Sequence, residues 1–275
     1  MRVRAHAKIN LSLRVLGTRP DGFHELRTIF QSIALHDTLT IRTARGPFRL
    51  TCDDPECPAD YTNLIWRAAD AVWRAAGRRG APRDLAIDLQ KRIPMNAGLG
   101  GGSSDAAAAL RVFARMWKVD ERRARAIGRE LGADVPYFFE GGTALGLERG
   151  DVLFPLIDRP RAWVVLVLPA FGVSTKEAFE WFDATGALAL PPERLINDLE
   201  AVVSDRHPEI ARIVARLRRS GAVTAAMTGT GSAVFGLFGS EAAARRAARA
   251  VGSRSRLTHV TTTLNRAQYQ RLAAI

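Results

Sequence analysis

The chain has 275 residues, 47% of them apolar and 25% charged, and its 40 Lys+Arg against 28 Asp+Glu give a formal charge of +12. That balance suits a globular protein of about two domains and excludes a disordered chain. No run of residues approaches the 18 apolar positions that a membrane-spanning helix requires.

Residues 2–16 alternate and are rich in Val, Ile and Leu, which predicts a strand. Charges interrupt this start and leave no apolar h-region of a secretion signal, so the expected location is cytoplasmic. Pro20, Asp21 and Gly22 mark a turn. "LRTIFQSIAL" and "DTLTIRTA" then predict two strands separated at His36 and Asp37. Cys52 and Cys57 are too few for a disulfide framework and have no nearby histidine for a zinc site, so they read as free thiols of a reducing compartment.

Residues 63–77 predict a helix capped by Asn63 and ended by Gly77, with Leu64, Ala68, Ala71, Val72 and Ala75 on its inner face. "DLAIDLQKRI" predicts a strand leading into a glycine-rich loop, followed by helices over about 104–116 and 121–131. "GADVPYFFEGGTALGLERGD" predicts a loop that closes into a strand near 143–147, and a domain boundary is expected near 156–162. Beyond it come a short buried strand, "AWVVLVLPA", and helices over 174–183, 208–219 and 240–251. Further strands are predicted at "AVTAAM", "SAVFGLF" and "RLTHVTTT". The order implies an α+β second half with helices on one face of its sheet.

The strand–loop–helix "RIPMNAGLGGGSSDAAAAL", residues 92–110, carries the strongest chemical signal. Glycines let backbone approach a ligand closely, and the helix start offers unpaired N–H groups and the positive end of a dipole. Together they predict an anion site, most often for phosphate. The expected contacts run from Pro94, Met95, Asn96, Ala97, Gly98, Leu99, Gly100, Gly101 and Gly102 to Ser103 and Ser104. The two serines are expected at cap positions, with Asp105 favouring the dipole in the first turn. The loop has no Gly-Lys-[Ser/Thr] and no Gly-x-Gly-x-x-Gly, so neither a Walker A loop nor a dinucleotide fingerprint is present.

"PMNAGLGGGSSDAA" resembles the phosphate loop of the GHMP small-molecule kinases. "AHAKINLSLRV", "DGFHELRTIFQSI", "GADVPYFF" and "MTGTGSAVFGLF" follow the order of the branch of that family that phosphorylates 4-diphosphocytidyl-2-C-methyl-D-erythritol, and these blocks span the chain nearly end to end. The resemblance implies an α+β fold of two domains with the active site between them. Residues 1–158 would form an ATP-binding domain like ribosomal protein S5 domain 2, and residues 159–275 a ferredoxin-like domain. It implies ATP as co-substrate, Mg2+, and transfer to the 2-hydroxyl of that small molecule in the non-mevalonate isoprenoid route. It implies neither a nucleic-acid nor a membrane partner, and a monomer or weak homodimer.

The same resemblance assigns residues. Lys8 matches the lysine beside the acceptor hydroxyl, and Asp134 the catalytic aspartate; on residue type alone Lys8 could snorkel from an edge strand and Asp134 could cap a helix. Asn10 lies two residues from Lys8 on the same strand face and matches an acceptor-substrate contact. His24 is implied at the edge of cytosine, with Phe23 and Phe179 stacked on its faces; Phe30 would line the same region or belong to the core. Thr175 is implied near the substrate diphosphate, with N-capping as the alternative for it and for Ser174. Gly229 and Gly231 of "TGTGS" would line the site or make a plain hairpin, and Ser104 is the suggested magnesium ligand. Homoserine- and mevalonate-type kinases share the loop without needing a base pocket. An RNA-binding module would use the positive charge, but the chain has no interleaved basic–aromatic stripe.

Overall fold

The computed structural model describes residues 1–186, 196–253 and 256–274. Two sheets organise it. The first is built on a long hairpin, β1 (Arg2–Thr18) and β2 (His24–Pro47), closed by the turn at Pro20–Phe23. β2 is one strand where two were expected. His36 and Asp37 are turn-type residues, but Asp37 is buried and its Oδ1 accepts the amides of Arg92 (2.5 Å) and Ile93 (2.8 Å). Its polarity is satisfied across the fold, so it does not break the strand.

β2 bulges next to this point: His6 pairs with His36, but Lys8 already pairs with Ser32, so β2 carries two extra residues between those pairs. The irregularity changes which residues face the helices. Val3 and Ala5 point into the core beneath the helical layer, whereas Ala7, Ile9 and Leu11 point the other way. Lys8 and Asn10 are thereby turned toward the helix side, where Lys8 lies over the Phe30 ring.

Around the hairpin, β3 (Arg49–Cys52) pairs in parallel with β4 (Arg83–Gln90), and β5 (Thr143–Glu148) and β6 (Val152–Pro155) extend the sheet in the order β3-β4-β2-β5-β6. The covering helices are α1 (Leu64–Ala75), α2 (Gly101–Trp117), α3 (Glu121–Leu131) and the short α4 (Tyr137–Glu140). Asn63 caps α1 as expected, accepting from the Ile65 amide. The buried stripe of α1 is Ile65, Ala68, Ala69, Val72 and Trp73, rotated from the expected face so that Trp73 meets Trp117 edge-on at 5.1 Å. Cys52 and Cys57 are free thiols, with the Cys57 pKa pushed up to about 12 by burial and then by Cys52.

The second sheet contains β7 (Trp163–Pro169), β8 (Thr224–Met227), β9 (Val234–Phe238) and β10 (Arg256–Thr262). Its fully antiparallel order, β10-β7-β9-β8, is the ferredoxin-like β-α-β-β-α-β arrangement. α5 (Thr175–Ala184), α6 (Leu199–Arg206), α7 (Glu209–Arg219) and α8 (Glu241–Val251) complete this half. β7 reads as an unbroken apolar run because both its faces are buried. Val165 and Val167 meet the helices, while Val164, Leu166 and Leu168 pack against Ile9, Leu11 and Leu99 of the first half. α9 (Arg266–Leu272) returns to the first sheet, where the Tyr269 hydroxyl donates to the Phe138 carbonyl at 2.6 Å. Sequence reading missed β3, β6, α4, α6 and α9, all of eight residues or fewer and too short for a clear period. No helix among the described residues is long and apolar enough to cross a membrane.

His6, beside the register shift, is 1% exposed, and neither ring nitrogen has a hydrogen-bond partner. Burial first, and the neighbouring His36 second, lower its pKa from 6.5 to about 4. Between those values the unfolded chain binds the extra proton, so stability is fully present above the upper one and falls as pH drops toward the lower. The shift corresponds to roughly 3 kcal/mol. Urea unfolding followed from about pH 7 to about pH 4 should show wild type losing more stability than His6→Leu by that order. Parallel losses in the two proteins would remove His6 as the cause.

Candidate active site

α2 begins at Gly101, earlier than the expected Ser104, because Gly100 takes the left-handed conformation (φ 71°) and turns the chain directly into the helix. No side chain caps this start. As first-turn donors, the amides of residues 101–103 have no carbonyl a turn earlier to bond. Gly102 is exposed, and an added Cβ there would find only Leu64 at 4.0 Å. The earlier start also reassigns the serines. Ser103 is half-buried in the first turn, beside Gly132. Ser104 is turned inward, and its hydroxyl donates to the His6 carbonyl at 2.7 Å, so it does not meet the expectation of a metal ligand. Asp105 lies beyond the first turn and is buried.

Two anchors hold the loop before the helix. In its middle, the Leu99 carbonyl accepts the Lys8 amide at 3.0 Å and the Ala97 carbonyl accepts that of Ala233 at 3.3 Å. Gly98 (φ 72°) sits so close to the Thr228–Gly231 turn that a Cβ would overlap the Thr228 carbonyl oxygen. At its ends, the Lys91 ammonium pairs with Asp37 of β2 and, at 2.9 Å, with Asp105 of α2. Burial works against the Lys91 ammonium, but the two carboxylates outweigh it and raise its pKa. Burial lifts the Asp105 pKa to about 7, Lys91 pulls against that rise and Asp37 adds to it; its second oxygen has no partner.

Lys8 stands above this loop, 3% exposed. Its Nζ donates to Asn10 Oδ1 at 2.8 Å and lies 3.3 Å from Asp134 Oδ2. Asp134 is not a helix cap; α4 starts after Pro136, and the Asp134 side chain keeps 31% of its surface open. Asn10 Nδ2 donates to Thr28 Oγ1 at 2.7 Å, while the Asn10 amide donates to Thr228 Oγ1 at 2.9 Å. The fold therefore brings Lys8, Asn10, Asp134, Gly98, Gly100 and Gly229 to one place. Gly229 approaches within 3.4 Å of Lys8 Nζ, measured from where its Cβ would stand. Gly231 serves the turn itself, its amide bonding the Thr228 carbonyl at 3.0 Å. Ala97 and Leu99 bury their side chains in the seam between the halves, leaving only backbone to a ligand, while Pro94, Met95 and Asn96 remain at least partly exposed.

The base side differs from expectation. His24 lies stacked on Phe179 at 4.3 Å and 15°, and its Nε2 meets Asp183 Oδ1 at 2.8 Å. The Phe179 face expected for cytosine is thus covered by the imidazole. Phe23 is 55% exposed, with the Arg149 guanidinium 5.2 Å from its ring centre. Phe30 is core, packed on Tyr137 beneath Lys8. Thr175 is exposed at the start of α5, capped by Ser174 in a capping box with Glu177. Sequence reading missed Thr228, Asn197 and the Lys91 cluster. Asn197 Nδ2 holds the carbonyls of Met227 (3.0 Å) and Gly229 (2.8 Å) and so fixes the glycine turn. "IND" before a helical pattern was the one local hint of it.

Residues 63–142 match the GHMP kinases N terminal domain and residues 176–256 the GHMP kinases C terminal domain. A 4-diphosphocytidyl-2-C-methyl-D-erythritol kinase of Solibacter usitatus (strain Ellin6076) is 44% identical over 98% of this chain and 90% of its own length. The crystal structure of a 4-(cytidine 5'-diphospho)-2C-methyl-D-erythritol kinase superposes with a TM-score of 0.80 at 34% identity, covering 96% of this chain and 99% of the other. Homoserine kinase from Cytophaga hutchinsonii shares the fold, with a TM-score of 0.67 at 17% identity over 98% and 96% of the two chains.

Two glycines of the loop should respond in opposite ways. Gly98→Ala forces a Cβ into the Thr228 carbonyl at a positive φ and should cost roughly 3 kcal/mol. Gly102→Ala adds a methyl in open space on a helical residue and should stay within about 0.5 kcal/mol of wild type or exceed it. Chemical denaturation of both variants checks the contrast; equal stabilities would show that the loop is not wedged against the second half.

Proposed function

Since the chain belongs to the 4-diphosphocytidyl-2-C-methyl-D-erythritol kinase family of the GHMP kinases, we propose that it transfers the γ-phosphoryl group of ATP to the 2-hydroxyl of that cytidine diphosphate compound. The products are the 2-phosphate and ADP, within the non-mevalonate route to isoprenoid precursors. The observation that carries this reading is the Lys8 ammonium, 3.3 Å from the partly open Asp134 carboxylate and close above the glycine loop.

Phosphoryl transfer to an alcohol passes through a loose transition state, so alignment and charge balance matter more than a strong base. The first-turn amides of α2 receive the nucleotide phosphates. Asp134 orients the acceptor hydroxyl and takes its proton late, as the O–P bond forms and the bond to ADP breaks. Lys8 balances the negative charge on the moving phosphoryl oxygens. Asn10 fixes the Lys8 ammonium and is itself fixed by Thr28 and Thr228.

Magnesium bound with ATP would supply neutralisation of the phosphate charge. The described residues form no group of three metal-ligating side chains. Ser104 does not fit, since its hydroxyl is buried against the His6 carbonyl. A phosphate-borne ion would find Ser103 and Asp134 as the protein oxygens on offer.

Lys8→Ala and Asp134→Asn should each lower kcat by about 10²–10³-fold, with the KM for ATP near that of wild type. ADP release coupled to a spectroscopic readout, with the diphosphocytidyl alcohol as acceptor, measures both. Wild-type turnover in either variant would remove that residue from the reaction. Turnover of homoserine or mevalonate in place of that acceptor would overturn the substrate.

A further inference from the structure

We propose that Asp183 is a specificity-positioning residue: it holds His24 in the tautomer whose free nitrogen accepts the exocyclic amine of cytosine and rejects the C4 carbonyl of uracil. This rests on the reading that the cytidine end of the substrate lies against the turn before β2 and against α5. Nothing in the family resemblance requires Asp183, which entered neither the loop motifs nor the expected base contacts.

Two side chains of α5 fix the imidazole. Phe179 covers its face at 4.3 Å and 15°, and Asp183 bonds its Nε2 at 2.8 Å. They are four residues apart, one turn along the same face of the helix. His24 is also the first residue of β2, paired with Thr18, so its backbone is held as well. The His24 side chain is 11% exposed, whereas that of Asp183 is 54% exposed.

The placement of Asp183 has no helix-stabilising reason. It lies in the last turn of α5, which contains no basic residue. A carboxylate there faces the negative end of the helix dipole, which disfavours it. What the carboxylate gains is the imidazole.

The consequence follows from donor and acceptor chemistry. A carboxylate only accepts, so His24 Nε2 must carry the hydrogen that it donates. In the neutral ring Nδ1 is then an acceptor, and no described residue donates to it. Cytosine offers an amino donor at C4, and uracil offers a carbonyl oxygen. The first satisfies Nδ1, while the second sets two lone pairs against each other and leaves both unpaired. A site built to receive a particular hydrogen rejects the analogue lacking it far more strongly than an apolar pocket does.

The test compares kcat/KM for the cytidine compound and for its uridine counterpart, using the full chain. The variants are His24→Ala, Asp183→Asn, Asp183→Ala and Asp183→Glu. Because Asp183 is exposed, its replacement leaves the fold intact. Asp183→Asn can donate to Nε2 and so favours the opposite tautomer. The cytidine-to-uridine ratio should fall by about tenfold or more in Asp183→Asn and Asp183→Ala and recover in part in Asp183→Glu, with the KM for ATP unmoved. Nitrogen-15 spectra of the imidazole should show the Nε2–H form in wild type and lose it in Asp183→Asn. An unchanged ratio in Asp183→Asn and in Asp183→Ala, alongside a reduced ratio in His24→Ala, overturns the role of Asp183 alone. An unchanged ratio in His24→Ala overturns the base-pocket reading on which it stands.

Discussion

A buried ammonium must find its compensation inside the protein, and the region around Lys8 is arranged to supply it. Leaving such a charge unpaired in the interior would cost several kcal/mol or force it neutral. The groups that answer it come from four separate places in the chain. Asn10 offers a carbonyl oxygen, Asp134 a carboxylate, Phe30 a ring face, and the Thr228 turn closes the remaining side. Meeting the needs of one side chain therefore assembles β1, the loop before α4 and a turn of the second sheet into one wall.

The glycine loop shows the same economy by a different means. Its ends converge on a single ammonium, Lys91, through Asp37 and Asp105. Its middle is wedged against backbone, with no room for a side chain at Gly98. What remains unconstrained by protein is the exposed backbone at Gly102 and the first turn of α2. A helix start left uncapped in this way stays available to an anion because nothing local satisfies it.

Local signals were legible where the physics is local. The caps Asn63 and Ser174 stand where the sequence suggested helix starts, and the apolar runs of β7 and β9 are strands. The pairing of Lys8 with Asp134 was legible only through family resemblance, since no pattern of spacing links residues so far apart. The Asn10–Thr228 bond joins positions 218 residues apart, and the Lys91–Asp37 pair joins positions 54 apart. Sequence reading had no handle on either. Ser104 failed for a subtler reason. A helix starting at Gly101 turns Ser104 onto the same buried face as Ala107 and Ala108, away from the ligand side. The contacts of His24 were not legible, because α5 presents Asp183 together with Phe179 from a part of the chain far from His24 in sequence.

The seam between the two halves determines how such a site can open. Ala7, Ile9, Leu11, Ile93 and Leu99 on one side meet Leu166, Leu168, Ala226 and Phe235 on the other, all buried. Exposing a large apolar side chain costs about 1.5–3 kcal/mol. Separating the halves as rigid bodies would expose several at once and break the Gly98 contact and the Asn10–Thr228 bond with them. That sum exceeds what a moderately tight ligand can repay, so rigid parting of the sheets is closed to this fold as a route of entry. The residues at the base side obey no such restriction. Phe23 is exposed, and His24 is held by one stacking contact and one hydrogen bond. Among the described residues, adjustment to substrate therefore falls to side chains of the turn before β2 and of α5, while the reacting groups above the glycine loop stay fixed by the seam.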